Sequence, residues 1–222
     1  MVLGSTHASL ANMGYLRDIY KGKTMGRMLL NQAVRPHLKE LKGLVLDLAG
    51  NHRASYNQFF TSDAQVTSGN VSPDGGVDVV ADINAKLPFA DRSFDAVVFL
   101  NALYIAEDTR ATLLEIRRVL KDGGVLVLSS PFIANEMPEP HDYRRFTAEG
   151  LERELRGAGF TSVRIERVGE RFSAVAHILH SFYFFNTIRL LAFSCALFMD
   201  RLIPAKIQRL HPMPIGYLVS AR

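Results

Sequence analysis

The sequence predicts an α/β fold, a mostly parallel sheet with helices on both faces, and the stretch from Val77 to Phe132 predicts it most directly. Three short apolar runs, Val77–Ala81, Phe94–Leu100 and Val125–Ser130, are rich in Val, Phe or Leu and too short for helices, so they read as buried strands. Between the second and third, Leu113, Ile116 and Leu120 recur at helical spacing, Asp108 stands where a helix is capped, and Asp122-Gly123-Gly124 stands where it ends. Strand, helix, strand requires a parallel crossover. The length of 222 residues and the hydrophobic content of 48% suit one domain with a full core.

Charge and cysteine usage narrow the classes further. The formal charge of +4 is spread along the chain without a block of like charges, which speaks against a nucleic-acid partner. The single cysteine, Cys195, cannot form an internal disulfide and lies in an apolar run, where a buried thiol is expected. No basic stretch followed by an apolar run opens the chain, so a cytoplasmic location is expected.

Taken in order, Met1–Asn12 is small and polar and is assigned no structure. From Gly14 to Lys42 aromatic, aliphatic and basic residues alternate at helical spacing, with a break or restart expected at Pro36. Gly22-Lys23-Thr24 is the tail of a phosphate-binding loop only in appearance, since no strand precedes it and Arg17 stands where the first glycine belongs. Leu44–Leu48 and Ala64–Ser68 read as the first two strands, and the first is expected to turn into a helix at Asp47–Asn51. Thr147 and Glu149 open a helix whose buried face holds Leu151 and Leu155, and Gly157 and Gly159 stop it before a strand at Thr161–Arg167. Gly216–Ser220 is the last strand. Asp95 stands at a strand entrance and reads as structural.

In such sheets ligands bind at the carboxyl ends of the strands, so the residues after each apolar run are the ones to read for chemistry. The wording of the chain there, AD…LPFADRSFDAVV followed by EIRRVLKDGG and then PHDYRRFTAEGL, resembles class I S-adenosylmethionine-dependent methyltransferases, and is similar to the small-molecule enzymes of sugar and lipopolysaccharide biosynthesis. The resemblance covers about two thirds of the chain and implies a Rossmann-like sheet of seven strands with the last one antiparallel between its neighbours. It also implies S-adenosylmethionine as cofactor and no metal. Asp47, Ala49, Gly50 and Asn51 then form the loop after the first strand, where the family has more glycine because backbone must approach the ligand. Asn70 takes the place of the acidic residue that accepts bonds from the ribose hydroxyls. Asp82 meets the adenine amino group, the backbone of Ile83 reads the ring edge, and Asn101 lies near the methionine part. Turn-capping roles for Asp82 and Asn70 stand beside these readings.

The acceptor side is read from the loop Asn135–Phe146, dense in groups that bind or transfer protons. His141 is the candidate general base, with Asp142 as a residue that could orient it. Tyr104, Tyr143 and Arg144 are the candidate acceptor contacts. The plainer alternative is that His141 and Arg144 fasten the loop to the helix after Thr147.

Phe172–Pro204 carries Phe172, Phe182, Tyr183, Phe184, Phe185, Phe193 and Phe198, with Arg189 as the only charge between Ser173 and Met199. His177, His180, Asn186 and Arg189 interrupt it too often for a comfortable membrane span. Helices covering the acceptor pocket or pairing two chains are expected first, and peripheral membrane contact second. His177 and His180, three apart, read as core histidines rather than a metal pair. The expected organisation is one domain over 1–222: a helical cover at 13–42, a core at 43–170, a hydrophobic helical insertion at 171–212 and a last strand at 213–222. The expected activity is methyl transfer to an oxygen, less so a nitrogen, of a small-molecule or sugar acceptor. A methyltransferase fold that has lost catalysis and serves as a binding subunit is the alternative, motivated by Ala49, Asn51 and Asn70.

Overall fold

In a computed structural model, which describes residues 2–6, 13–138 and 141–222, the chain forms one eight-stranded sheet with helices on both faces. In chain order the elements are β1 (Val2–Thr6), α1 (Met13–Tyr20), α2 (Met25–Glu40), β2 (Gly43–Leu48), β3 (Ala64–Asn70), β4 (Val79–Val80) and β5 (Phe94–Leu100). There follow α3 (Thr109–Val119), β6 (Leu120–Pro131), α4 (Ala148–Gly157), β7 (Val163–Val168), α5 (Arg171–Ile178), α6 (Asn186–Leu202), α7 (Ala205–Leu210) and β8 (Gly216–Ala221). The strand order is β1-β7-β8-β6-β5-β2-β3-β4, parallel throughout except for β8, which is antiparallel to both β6 and β7. The seven expected strands are all present, and the eighth is β1, paired with β7 at the edge. Val2–Thr6 thus departs from the unstructured reading of the N-terminus, because an open edge of β7 offers it backbone partners. Residues 7–12 lie outside the described residues.

The pleat divides the core. Along β5, Val97 and Phe99 face a cluster built with α3 and α4, whereas Ala96 and Val98 face one built with α2, α5 and α6. β2 and β6 divide the same way, Leu46 and Leu128 to the first side and Val45 and Val127 to the second. Residues buried on both sides explain why these strands read as continuous apolar runs.

Three sequence expectations give way to tertiary packing. Helix α3 ends at Val119, and Leu120 already pairs with Phe94, so Asp122-Gly123-Gly124 is not the stop; it sits in an irregular stretch of β6, with Gly123 at φ +74°. Pro36 lies inside α2 and does not break it. The proline is on the exposed side, while Val34 and Leu38 on either side of it are fully buried and hold the last turns. The expected helix after the first strand is missing: residues 49–63 contain a single short 3-10 turn, Asn57–Phe59. An Asx turn from Asn51 Oδ1 to the Arg53 amide (2.9 Å) and a bond from Asn57 Nδ2 to the Asn51 carbonyl (2.9 Å) close that segment on itself instead.

Helix α5 is fixed by two acids. Glu170 forms its capping box with Ser173, and Asp200, from the far end of α6, accepts hydrogen bonds from the amides of Phe172 (2.8 Å) and Ser173 (3.1 Å). One helix therefore caps the other. Replacing Asp200 with Ala is expected to destabilise the protein by about 2 kcal/mol, since two nearly buried amides lose a charged acceptor. Urea unfolding checks it, and an unchanged midpoint would mean that water replaces the carboxylate.

Candidate cofactor and acceptor site

The chain leaves β2 toward β3 and β4 on one side and returns to β5 and β6 on the other, so the switch point of the sheet falls between β2 and β5. Two cavities open there and share Ala49. The smaller, about 240 Å³, is lined by Asn70, Val71, Ala81, Asp82, Ile83, Asn84, Ile105, Glu107 and His141. The larger, about 590 Å³, lies between the first loop, the N-terminal turn of α2, the ends of β5, β6 and β8, and α5.

Ala49 adopts φ +62°, the left-handed conformation that favours glycine. Its amide donates to the Gly69 carbonyl at 2.6 Å, which holds the loop against β3 and offsets a steric cost on the order of 1 kcal/mol. The loop therefore turns as a glycine would turn it. Gly50 is glycine for a reason the sequence did not reveal: a Cβ there would come within 1.9 Å of Asp47 Oδ2. Asp47 is 1% exposed and lines neither cavity; it supports the loop from beneath. Tyr56 donates its hydroxyl hydrogen to the two carboxylate oxygens, at 3.0 and 3.1 Å. Burial pushes the Asp47 carboxyl up to about 7, partly opposed by that hydrogen bond. Tyr56 is itself held well above its ordinary value by burial and then by Asp47.

Around the smaller cavity, Asn70 Nδ2 donates to the carbonyls of Ala49 (3.1 Å) and Gly50 (3.3 Å). With its nitrogen committed to the loop, its oxygen is the atom left to accept from a ribose hydroxyl. Asp82 Oδ1 accepts from the Asn84 amide at 2.9 Å as a turn cap, and the exposed residue lines the cavity. Ile83 lies beside it, its carbonyl held by Thr112 Oγ1 at 3.0 Å. Ala49, Gly50, Asn51 and Asn101 line the larger cavity. Asn101, at φ +50°, is set by Ser129, whose hydroxyl donates to Asn101 Oδ1 at 2.9 Å.

The candidate acceptor contacts fall elsewhere. His141 is in the smaller cavity with Asp82, stacks on Tyr143 with ring centroids 5.2 Å apart, and does not line the larger cavity. Asp142 does not orient it. Its carboxylate is paired with Arg145 and accepts from the Met137 amide at 2.9 Å, and Arg145 holds the acid below its usual range. Arg144 donates to Thr109 Oγ1 (2.7 Å) and to the Glu107 carbonyl (2.9 Å), fastening the loop to the start of α3 and not to α4. Tyr104 lies under the Arg145 guanidinium, 5.5 Å from its ring centroid. Tyr104, Tyr143 and Arg144 line neither cavity. Pro140 lies outside the described residues.

The larger cavity is walled instead by Arg27, Asn31, Arg53, Tyr56, His177 and Tyr217, among others. Asn31 Nδ2 donates to Ser55 Oγ at 3.0 Å, joining α2 to the first loop. His177 Nδ1 accepts from the Gly26 amide at 3.4 Å, in the first turn of α2, where Thr24 serves as the cap. Burial, and secondarily His180, keeps His177 below its usual range, so it is neutral at pH 7 with its proton on Nε2. The helical period of 13–42 and the histidine of α5 were visible in the sequence. Nothing local announced that both elements meet over the first strand.

Residues 46–128 match the family model described as a methyltransferase domain. The chain is 40% identical over 97 residues to a ubiquinone/menaquinone biosynthesis C-methyltransferase of Desulfotalea psychrophila, covering 37% of this chain and 39% of that protein. It is 28% identical over 127 residues to an O-methyltransferase of Aspergillus sclerotiorum, covering 53% and 48% respectively. The chain thus spans less than half the length of these curated relatives. Among solved structures, an S-adenosylmethionine-dependent methyltransferase from Archaeoglobus fulgidus superposes with TM-score 0.59 at 18% identity over 95% of this chain and 99% of that one, a likeness of fold.

A testable consequence concerns Asp47. In the unfolded chain its carboxyl ionises near 3.8, whereas in the fold it holds its proton to about 7. Between these values the native state binds more protons than the unfolded state, so the stability contributed is complete below about pH 4 and is lost as pH rises through 7. The melting temperature is expected to fall over that window in wild type and to stay flatter in Asp47→Asn. Parallel profiles would show that Asp47 ionises normally.

Proposed function

We propose that the chain is an S-adenosylmethionine-dependent methyltransferase that methylates an oxygen of a small hydroxylated acceptor that is neutral or acidic, a sugar acid being one that fits. The smaller cavity takes the adenosine part, with Asp82 toward the adenine amino group and Asn70 Oδ1 toward the ribose. The cofactor, when bound, supplies an electrophilic methyl group. The larger cavity takes the methionine part and the acceptor.

The observation that carries this reading is the charge of the larger cavity. Among the described residues its wall includes Arg27 and Arg53 and no Asp or Glu. A cationic amine brought there would be desolvated beside two guanidinium groups without a carboxylate to pair with, whereas an anionic substituent finds bidentate donors. His177, with Nδ1 occupied by Gly26, presents Nε2–H as a donor to an acceptor oxygen. Tyr217 and Pro131 supply apolar wall that excludes water, so the protein contributes chiefly orientation.

Calorimetry is expected to show S-adenosylmethionine binding to the wild-type chain, weakened at least about fivefold in Asp82→Ala by loss of a hydrogen bond. No heat of binding in wild type would remove the enzyme reading. With radiolabelled cofactor, methyl transfer to hydroxylated acids is expected, and Arg27→Ala should raise KM for them about tenfold or more while leaving cofactor affinity nearly unchanged. Transfer confined to amines would overturn the acceptor assignment.

A further inference from the structure

Apolar surface is concentrated in one part of the molecule. Among the described residues, 13 of the 20 large hydrophobic side chains exposed to solvent lie between Phe172 and Leu210. On α6 the exposed residues Ile188, Leu191, Cys195, Phe198 and Leu202 recur at alternating intervals of three and four, which places them along one side of the helix. Its other side, Phe193, Ala196 and Leu197, is buried in the core. On α5, Phe172 and Val175 are exposed in the same way, and the turn between the helices presents Phe182, Phe184 and Phe185 at 68, 79 and 66% exposure. The expectation of a buried Cys195 is corrected by this arrangement. α5 lines the larger cavity through His177, and its outer face and that of α6 are exposed.

The charges on this surface have one sign. From Arg171 to Leu210 the sole acidic residue is Asp200, and its carboxylate is turned inward onto the amides of Phe172 and Ser173. Arg201, Lys206 and Arg209 are exposed, the last two alternating with the exposed Ile207 and Leu210 on α7. Among the described residues no helix is long and apolar enough to cross a membrane. A second copy of the chain is a poor match, because a two-fold interface sets a patch against itself and would bring these cations together with no exposed carboxylate from the segment between them. A surface that combines hydrocarbon with negative headgroups matches both properties at once.

We propose that the outer face of α5, α6 and α7 docks on the surface of an anionic lipid bilayer, with the Phe182–Phe185 turn and the α6 stripe entering the headgroup boundary and the cations meeting lipid phosphates. The docking face is the outer side of the helices whose α5 brings His177 to the larger cavity, and the proposal does not depend on the reaction catalysed there.

The test is cosedimentation of the full chain with phosphatidylcholine vesicles, with and without roughly one third phosphatidylglycerol. Binding to the anionic vesicles is expected, much weaker binding to the neutral ones, and a decline as salt rises. Leu191→Glu with Phe198→Glu changes two exposed residues and should lower the affinity at least about tenfold, and Lys206→Glu with Arg209→Glu should lower it about as much. Circular dichroism confirms that the variants keep the fold. Absence of vesicle binding at low salt overturns the proposal. It is overturned equally if light scattering finds a dimer that the Leu191→Glu/Phe198→Glu pair dissociates and that ignores vesicles.

Discussion

Burying Asp47 beneath the first loop sets the geometry on which the candidate site depends. A carboxyl at the end of a central strand is costly to desolvate, and the chain meets that cost by raising its proton affinity and giving it the Tyr56 hydroxyl. The same carboxyl occupies the space behind Gly50, so no side chain can stand there and the loop backbone lies on top of it. Ala49 then turns into the left-handed region, held by the Gly69 carbonyl, and Asn70 ties both loop carbonyls to the next strand. Each cavity takes part of its wall from this loop.

Two other elements close the site, and both are anchored by charge. The loop 133–146 is held by Arg144 on the start of α3 and by the Asp142–Arg145 pair, with Arg145 also over the Tyr104 ring. Residues that looked like chemistry are thereby fasteners. On the opposite face, α5 is held by Glu170 and Asp200 and in turn carries His177 to the first turn of α2. Because Asp200 belongs to α6, the same carboxylate joins the helix that bears His177 to the helix that bears the exposed apolar stripe.

This charge distribution separates two tasks. Asp200, placed inside, organises helices, whereas arginines are left where anions could meet them: Arg27 and Arg53 in the cavity, and Arg201 and Arg209 beside exposed hydrocarbon. A net charge of +4 spread along the sequence thus becomes local basic surfaces only after folding.

The strands and their order of appearance were legible in the sequence, because residues buried on both faces of a parallel sheet must be apolar without interruption, as Ala96–Phe99 is. So was helix α3, whose Asp108 cap accepts from the amides of Arg110 and Ala111. Asn70, Asp82, Ile83 and the loop Ala49–Asn51 could be chosen because the ligand end of a parallel sheet is fixed by chain direction, and all of them line one of the two cavities. Pro36 and the missing helix after β2 were not legible, since local propensity competes there with burial that no window of sequence contains. The wall of the larger cavity was decided entirely by tertiary structure. Arg27, Tyr56 and His177 come from three segments far apart in the chain, and only the docking of α2 and α5 over β2 brings them to one cavity, which His141, Tyr143 and Arg144 do not line.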